Sequence, residues 1–61
     1  MTIEQAIAYV IAIETSWIPW ETPCVLSATV NQNEENMIDV TTTANQWSVW
    51  QQSDGTLYGE C

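Results

Sequence analysis

The chain contains no lysine, no arginine and no histidine, against eight aspartates and glutamates in 61 residues. An ordinary domain is about 25% charged with both signs present, so a chain of this size would carry roughly seven basic residues. Their absence removes the imidazole base, the Schiff-base amine and the phosphate clamp. A nucleophilic triad needs a base beside its nucleophile, and none exists here, so no catalytic residue and no enzyme activity are expected. Direct contact with nucleic acid is excluded for the same reason, because phosphates are held by Lys and Arg. Paired carboxylates can act as acid and base, but so small a domain has little wall for a cleft around them. Cysteine is scarce: Cys24 and Cys61, without histidine, make a poor zinc set. No D-x-D-x-D-G calcium loop is present, and Asp54-Gly55 reads as a turn. No metal and no cofactor are therefore expected.

Long apolar runs are missing too. The longest, Ala6 to Ile13, is too short to span a bilayer, and no membrane partner is expected. No basic stretch precedes it, so no leader peptide is read there. That points to a reducing, cytoplasmic setting in which Cys24 and Cys61 stay free. If joined, they would close a long loop worth about 3–4 kcal/mol in the chain-entropy model.

What is present is apolar and aromatic. Hydrophobic residues make up 46%, with four Trp and two Tyr, which indicates a folded chain and not a disordered acidic tail. Residues 1–61 form one domain. Thr2 to Glu14 predicts a helix: Thr2 and Gln5 make a capping box, and Ile3, Ala6, Ile7, Val10 and Ile13 follow helical spacing. Thr15-Ser16, Pro19 and Pro23 stop it, and Glu14 to Ile18 reads as a short extended edge segment. From Pro23 the pattern is β: Cys24 to Val30, Asn36 to Thr42, Gln46 to Gln52 and Thr56 to Glu60, with turns at 31–35 and 53–55. The fold class expected is α+β, one N-terminal amphipathic helix on an antiparallel meander of four to five strands. Alternation puts Ile38, Val40 and Thr42 on one face and Met37, Asp39 and Thr41 on the other. It likewise separates Trp47 and Val49 from Ser48 and Trp50, so Trp47 and Trp50 cannot both face the helix. Trp50 and Tyr58 are the anchors expected at a free sheet face.

An acidic surface ordinarily serves solubility, but such surfaces mix both signs, and a one-signed surface repels itself. The cost is tolerable for a protein that competes for a site normally holding a polyanion. Same-face residues along a strand lie about 6.8 Å apart, comparable to phosphates along a nucleic-acid strand.

The residue order Ile13-Glu14-Thr15-Ser16-Trp17-Ile18-Pro19, followed by Glu21, resembles a segment of the phage uracil-DNA glycosylase inhibitors. Val25 to Val30, Glu35 to Thr42 and Trp47 to Gly55 resemble that family's later strands and its terminal hairpin. The resemblance implies an edge strand inserted into the DNA-binding groove of a host enzyme. Glu14 would be its phosphate-mimicking acid, Thr15 or Ser16 its hydroxyl, and Glu21 a supporting acid. It also implies an apolar pocket that swallows a leucine of the glycosylase, with Leu26, Ile38, Val40 and Trp50 at matching positions and Ile18 nearby. The family's second helix is missing, since only Trp20 to Pro23 separate the proline from the next strand, so Trp17 and Trp20 would rebuild that wall. Thr15 lies between Glu14 and Ser16, which flips the side-chain parity beyond it. Family members also carry Lys, which this chain does not.

The expected function is thus a DNA-mimic inhibitor, a monomer in a 1:1 complex with uracil-DNA glycosylase in the cytoplasm of an infected bacterium. Two alternatives stay open. One is a DNA mimic aimed at a restriction enzyme, a CRISPR effector or an RNA polymerase. The other is a small structural or assembly module that pairs through its free sheet face.

Overall fold

Thr2 opens the helix as its sequence pattern predicts. In the computed structural model, which describes residues 1–61, Thr2 Oγ1 accepts the Gln5 N–H at 3.1 Å and Gln5 Oε1 accepts the Thr2 N–H at 2.8 Å. Such a cap stabilises a helix by about 1 kcal/mol. Glu4 adds an acid to the first turn, where the helix dipole favours it.

The helix, α1, runs Ile3–Trp17, one turn beyond the expected end at Glu14. Glu14 to Trp17 is therefore helical, and the extended edge segment expected there does not exist. The reason is tertiary. Glu14 bonds the sheet and Trp17 stacks on Trp47, with ring centroids 5.3 Å apart, and both contacts keep the last turn in place against the weak propensities of Thr15 and Ser16. Ile18 caps the end, its N–H bonding the Glu14 carbonyl at 2.8 Å, and Pro19 follows.

Four antiparallel strands follow in a plain meander: β1 Val25–Val30, β2 Met37–Thr42, β3 Gln46–Gln51 and β4 Leu57–Glu60, in spatial order β1-β2-β3-β4. The expected α+β class and the helix-on-meander arrangement are both present. A bulge between Val25 and Ser27 leaves Leu26 unpaired in β1. The β1–β2 turn is held by Asn31 Oδ1, which accepts the N–H groups of Asn33 and Glu34 at 2.8 and 3.0 Å. In the β3–β4 turn Gly55 takes φ 92°, a conformation cheap only for glycine.

One sheet face packs under α1. Ala6, Val10, Ile38, Val40, Trp47 and Val49 form the core, flanked by Met1, Tyr9, Ile13, Val25, Ala28 and Leu57. The tightest approach is at Gly59, where an added Cβ would lie 2.7 Å from Tyr9 Cε1 and 3.3 Å from Trp47 Cε3. Glycine lets the helix settle onto β4 at that point. Cys24 and Cys61 are both exposed and free. No helix is long and apolar enough to cross a membrane.

Candidate partner-binding surface

Two features stand out once the sheet is in place: its uncovered face and the buried carboxyl group at the end of α1.

Register defines the uncovered face. Asp39 pairs with Ser48 and Ser48 with Glu60, so one row across the sheet carries two acids separated by a serine. At about 4.8 Å per strand the two acids stand roughly 10 Å apart. The adjacent row is Met37, Trp50 and Tyr58, with the last two rings 5.8 Å apart. Ser27, Thr29, Thr41 and Gln46 complete the face with polar groups. Asp39 is oriented by Asn31 Nδ2, which donates at 3.0 Å, and more weakly by Ser48 Oγ at 3.4 Å. Tyr58 Oη donates to Glu60 Oε1 at 3.0 Å. That bond to an anionic acceptor, followed by the nearby charge itself, raises the Tyr58 pKa above 10.0. Acids flanked by aromatic surface suit docking onto a positively charged partner.

The end of α1 is built differently. Glu14 is fully buried at 0% exposure. Its Oε2 accepts Thr42 Oγ1–H at 2.7 Å, the Trp47 indole N–H at 2.7 Å and, more loosely, Asn45 Nδ2 at 3.4 Å. Thr42 in turn accepts the Ala44 and Asn45 N–H groups at 3.1 and 3.0 Å, so one carboxyl group ties α1 to the β2–β3 turn. Its second oxygen, Oε1, is the one buried side-chain polar atom with no partner. Glu14, Ile18, Glu21, Pro23, Thr43 and Ala44 line a small cavity at this corner.

The structure therefore corrects several expected roles. Glu14 cannot mimic a phosphate on a docking edge, because it is buried and bonded inward. Thr15 and Ser16 are exposed, on a helical turn. Glu21 is exposed in the segment after Pro19. The leucine pocket is not assembled as expected. Ile38 and Val40 are 3% and 0% exposed under α1, whereas Trp50 lies on the opposite face, and a sheet separates them. Leu26 is 64% and Trp17 54% exposed, while Trp20 projects into solvent and forms no pocket wall. Of the expected site residues, the cavity brings together Glu14, Ile18 and Glu21. The residues missed by sequence reasoning are Thr42, Asn45 and Trp47 as partners of Glu14. Alternation put Asp39 on the face away from Ile38 and Val40, while its alignment with Glu60 comes from the pairing of β2, β3 and β4.

No group of three or more His, Cys, Asp or Glu side chains is arranged to hold a metal ion. Topology and site together define a helix-on-meander α+β protein with an acidic, aromatic open face. In comparisons with family models, curated proteins and solved structures, the chain matches none.

Proposed function

We propose that the chain is a non-catalytic inhibitor that imitates nucleic acid, docking its acids onto the basic DNA-binding groove of an enzyme, with uracil-DNA glycosylase as the favoured target. One observation carries the reading. The acids other than Glu14 all reach solvent, and no side-chain cation offsets them. The amino terminus, the one positive group left, is occupied by Gln51 Oε1 at 2.7 Å.

The docking residues differ from those the resemblance implies. The open face offers Asp39 and Glu60 as phosphate substitutes, with Trp50 and Tyr58 as anchors. Exposed Glu21, Thr15 and Ser16 extend the acidic and hydroxyl surface at the end of α1. Charge steers the encounter and makes its rate salt-sensitive, while the aromatic pair sets the residence time.

The test is excision of uracil from an oligonucleotide by a bacterial glycosylase, with this protein titrated at low and moderate salt. Stoichiometric inhibition that weakens with salt supports the proposal. No inhibition at tenfold excess removes the glycosylase as target and directs the search to other DNA-binding enzymes. The uncovered Trp50–Tyr58 face also suits self-assembly, though a net charge of -8 opposes it. A salt-resistant oligomer by sedimentation would favour that second reading.

A further inference from the structure

The sheet ends on two edge strands, β1 with six residues and β4 with four. In β1 the bonding pattern shows which groups are free. Asn31 N–H bonds the Met37 carbonyl at 3.0 Å. Bonding alternates along an antiparallel pair, so Thr29 and Ser27 also bond inward, to Asp39 and Thr41. The N–H and C=O groups of Ala28 and Val30 therefore point to the open edge, and no other main-chain group bonds them. Donors and acceptors at this spacing are matched by another extended strand.

Edges are normally guarded by charge, proline, shortness or a bulge. β4 is short and carries Glu60. β1, with the sequence Val-Leu-Ser-Ala-Thr-Val, has neither charge nor proline. Its bulge, at Leu26, lies near its start and leaves Ser27 to Val30 in regular register. Leu26 and Val30 are exposed. None of the eight acids falls in residues 22–33. A basic partner strand finds no acid on this edge to pair with. A second copy of the chain meets an edge to which it brings no like charge.

We propose that β1 pairs antiparallel with β1 of a second copy, about a twofold axis normal to the sheet at Thr29. In that register Ala28 of each copy lies opposite Val30 of the other. The open main-chain groups of both are closed, and the bulge stays outside the new ladder. Thr29 faces its own counterpart, a favourable cross-strand pair. Identical edges related by a twofold satisfy each other and stop at two copies. The sheet runs through the dimer, with both helices on one side and both acidic faces on the other. Thr29 is in register with Asp39, Asp39 with Ser48 and Ser48 with Glu60. The acids of both copies thus fall in one row, with the two Asp39 residues roughly 14 Å apart. This dimer takes the place of the monomer that the resemblance implies. Its formation is independent of any target, while its use as a longer acidic track rests on the reading of the chain as a nucleic-acid mimic.

The test is sedimentation equilibrium of the whole chain up to millimolar concentration, at about 0.05 and 0.5 M salt. Reductant is present because Cys24 and Cys61 are exposed and free. A monomer–dimer equilibrium is expected, tighter at high salt because screening weakens the repulsion between two chains of charge -8. Ala28→Pro removes an edge N–H that the β1–β2 ladder does not use. Val30→Glu puts like charge on the edge at an exposed position, so the test stands even if Ala28→Pro does not fold. Each should weaken the dimer by about tenfold, and Trp50→Ala should leave it unchanged. Hydrogen exchange at the Ala28 and Val30 amides should slow as the dimer fills. The proposal is overturned if the chain stays monomeric at high salt or builds species larger than a dimer. It is equally overturned if Trp50→Ala dissociates the dimer, if Val30→Glu dimerises as tightly as the parent, or if the Ala28 and Val30 amides gain no protection. A dimer that does not inhibit the glycosylase would keep the paired edge and remove that target. Inhibition by a strict monomer would do the reverse.

Discussion

The carboxyl group of Glu14 accepts the indole N–H of Trp47 at 2.7 Å, and the two side chains are 0% and 2% exposed. The pair joins the last turns of α1 to the middle of the sheet. With the Trp17 ring stacked on the same indole, it explains why the helix continues to Trp17.

Glu14→Ala strands the Trp47 indole and the Thr42 hydroxyl inside the protein. We expect a loss of about 2–4 kcal/mol of stability, read from urea unfolding followed by tryptophan fluorescence. A loss below about 0.5 kcal/mol, the level of an ordinary surface substitution, would mean that the carboxyl group is not a structural tie. Any drop in inhibition by Glu14→Gln should track lost stability, in contrast to the direct docking role the resemblance implies.

Gly59→Ala tests the close approach of α1 to β4. The added methyl meets the rings of Tyr9 and Trp47, so overpacking should cost about 1–3 kcal/mol. Tyr9→Ala in the same background should recover part of that loss. Equal stability of Gly59→Ala and the parent in a thermal melt would show that the helix shifts freely over β4.

Two groups carry predictable titrations. Asp54 accepts the Thr56 hydroxyl and the Thr56 N–H, which together hold its pKa below 3.8. Its proton is therefore bound more weakly in the folded state. The stabilisation is present above the unfolded pKa, near 3.9, and is lost as pH falls through the folded value. Thr56→Ala should move the Asp54 carboxyl titration upward by NMR. Tyr58 is the opposite case. Its raised pKa means the folded state holds the proton more tightly, so the stabilisation is present below about 10 and is lost as pH rises through the folded value. Glu60→Ala should bring the phenolate absorbance transition to lower pH, and an unmoved transition would remove the Tyr58–Glu60 bond from the account.

Docking through the open face makes a kinetic prediction. Asp39→Asn with Glu60→Gln should lower the association rate with the glycosylase and flatten its salt dependence, with little change in dissociation. Trp50→Ala should act mainly on dissociation, speeding it at least tenfold if Trp50 is a buried anchor. Surface plasmon resonance at two salt concentrations separates the two effects. Parent-like kinetics in both variants would exclude this face from docking.

The elements were legible because they are local. The Thr2–Gln5 capping box, the spacing of Ala6 and Val10, and the alternation in Met37–Thr42 and Gln46–Gln51 act between near neighbours, so the helix, the strands and the two sheet faces follow from the chain itself. The one-signed charge is likewise a property of composition. The role of Glu14 is not. The sequence presents it as one acid among eight, and burial of a charge is the costly and less expected outcome. What offsets that cost are donors 28, 31 and 33 positions away, which reach it only after the helix has docked on the folded meander. The same tertiary event lengthens α1. It also leaves one oxygen of that carboxyl group buried without a hydrogen-bond partner. Local chemistry chose the elements, and long-range packing decided which acid left the surface.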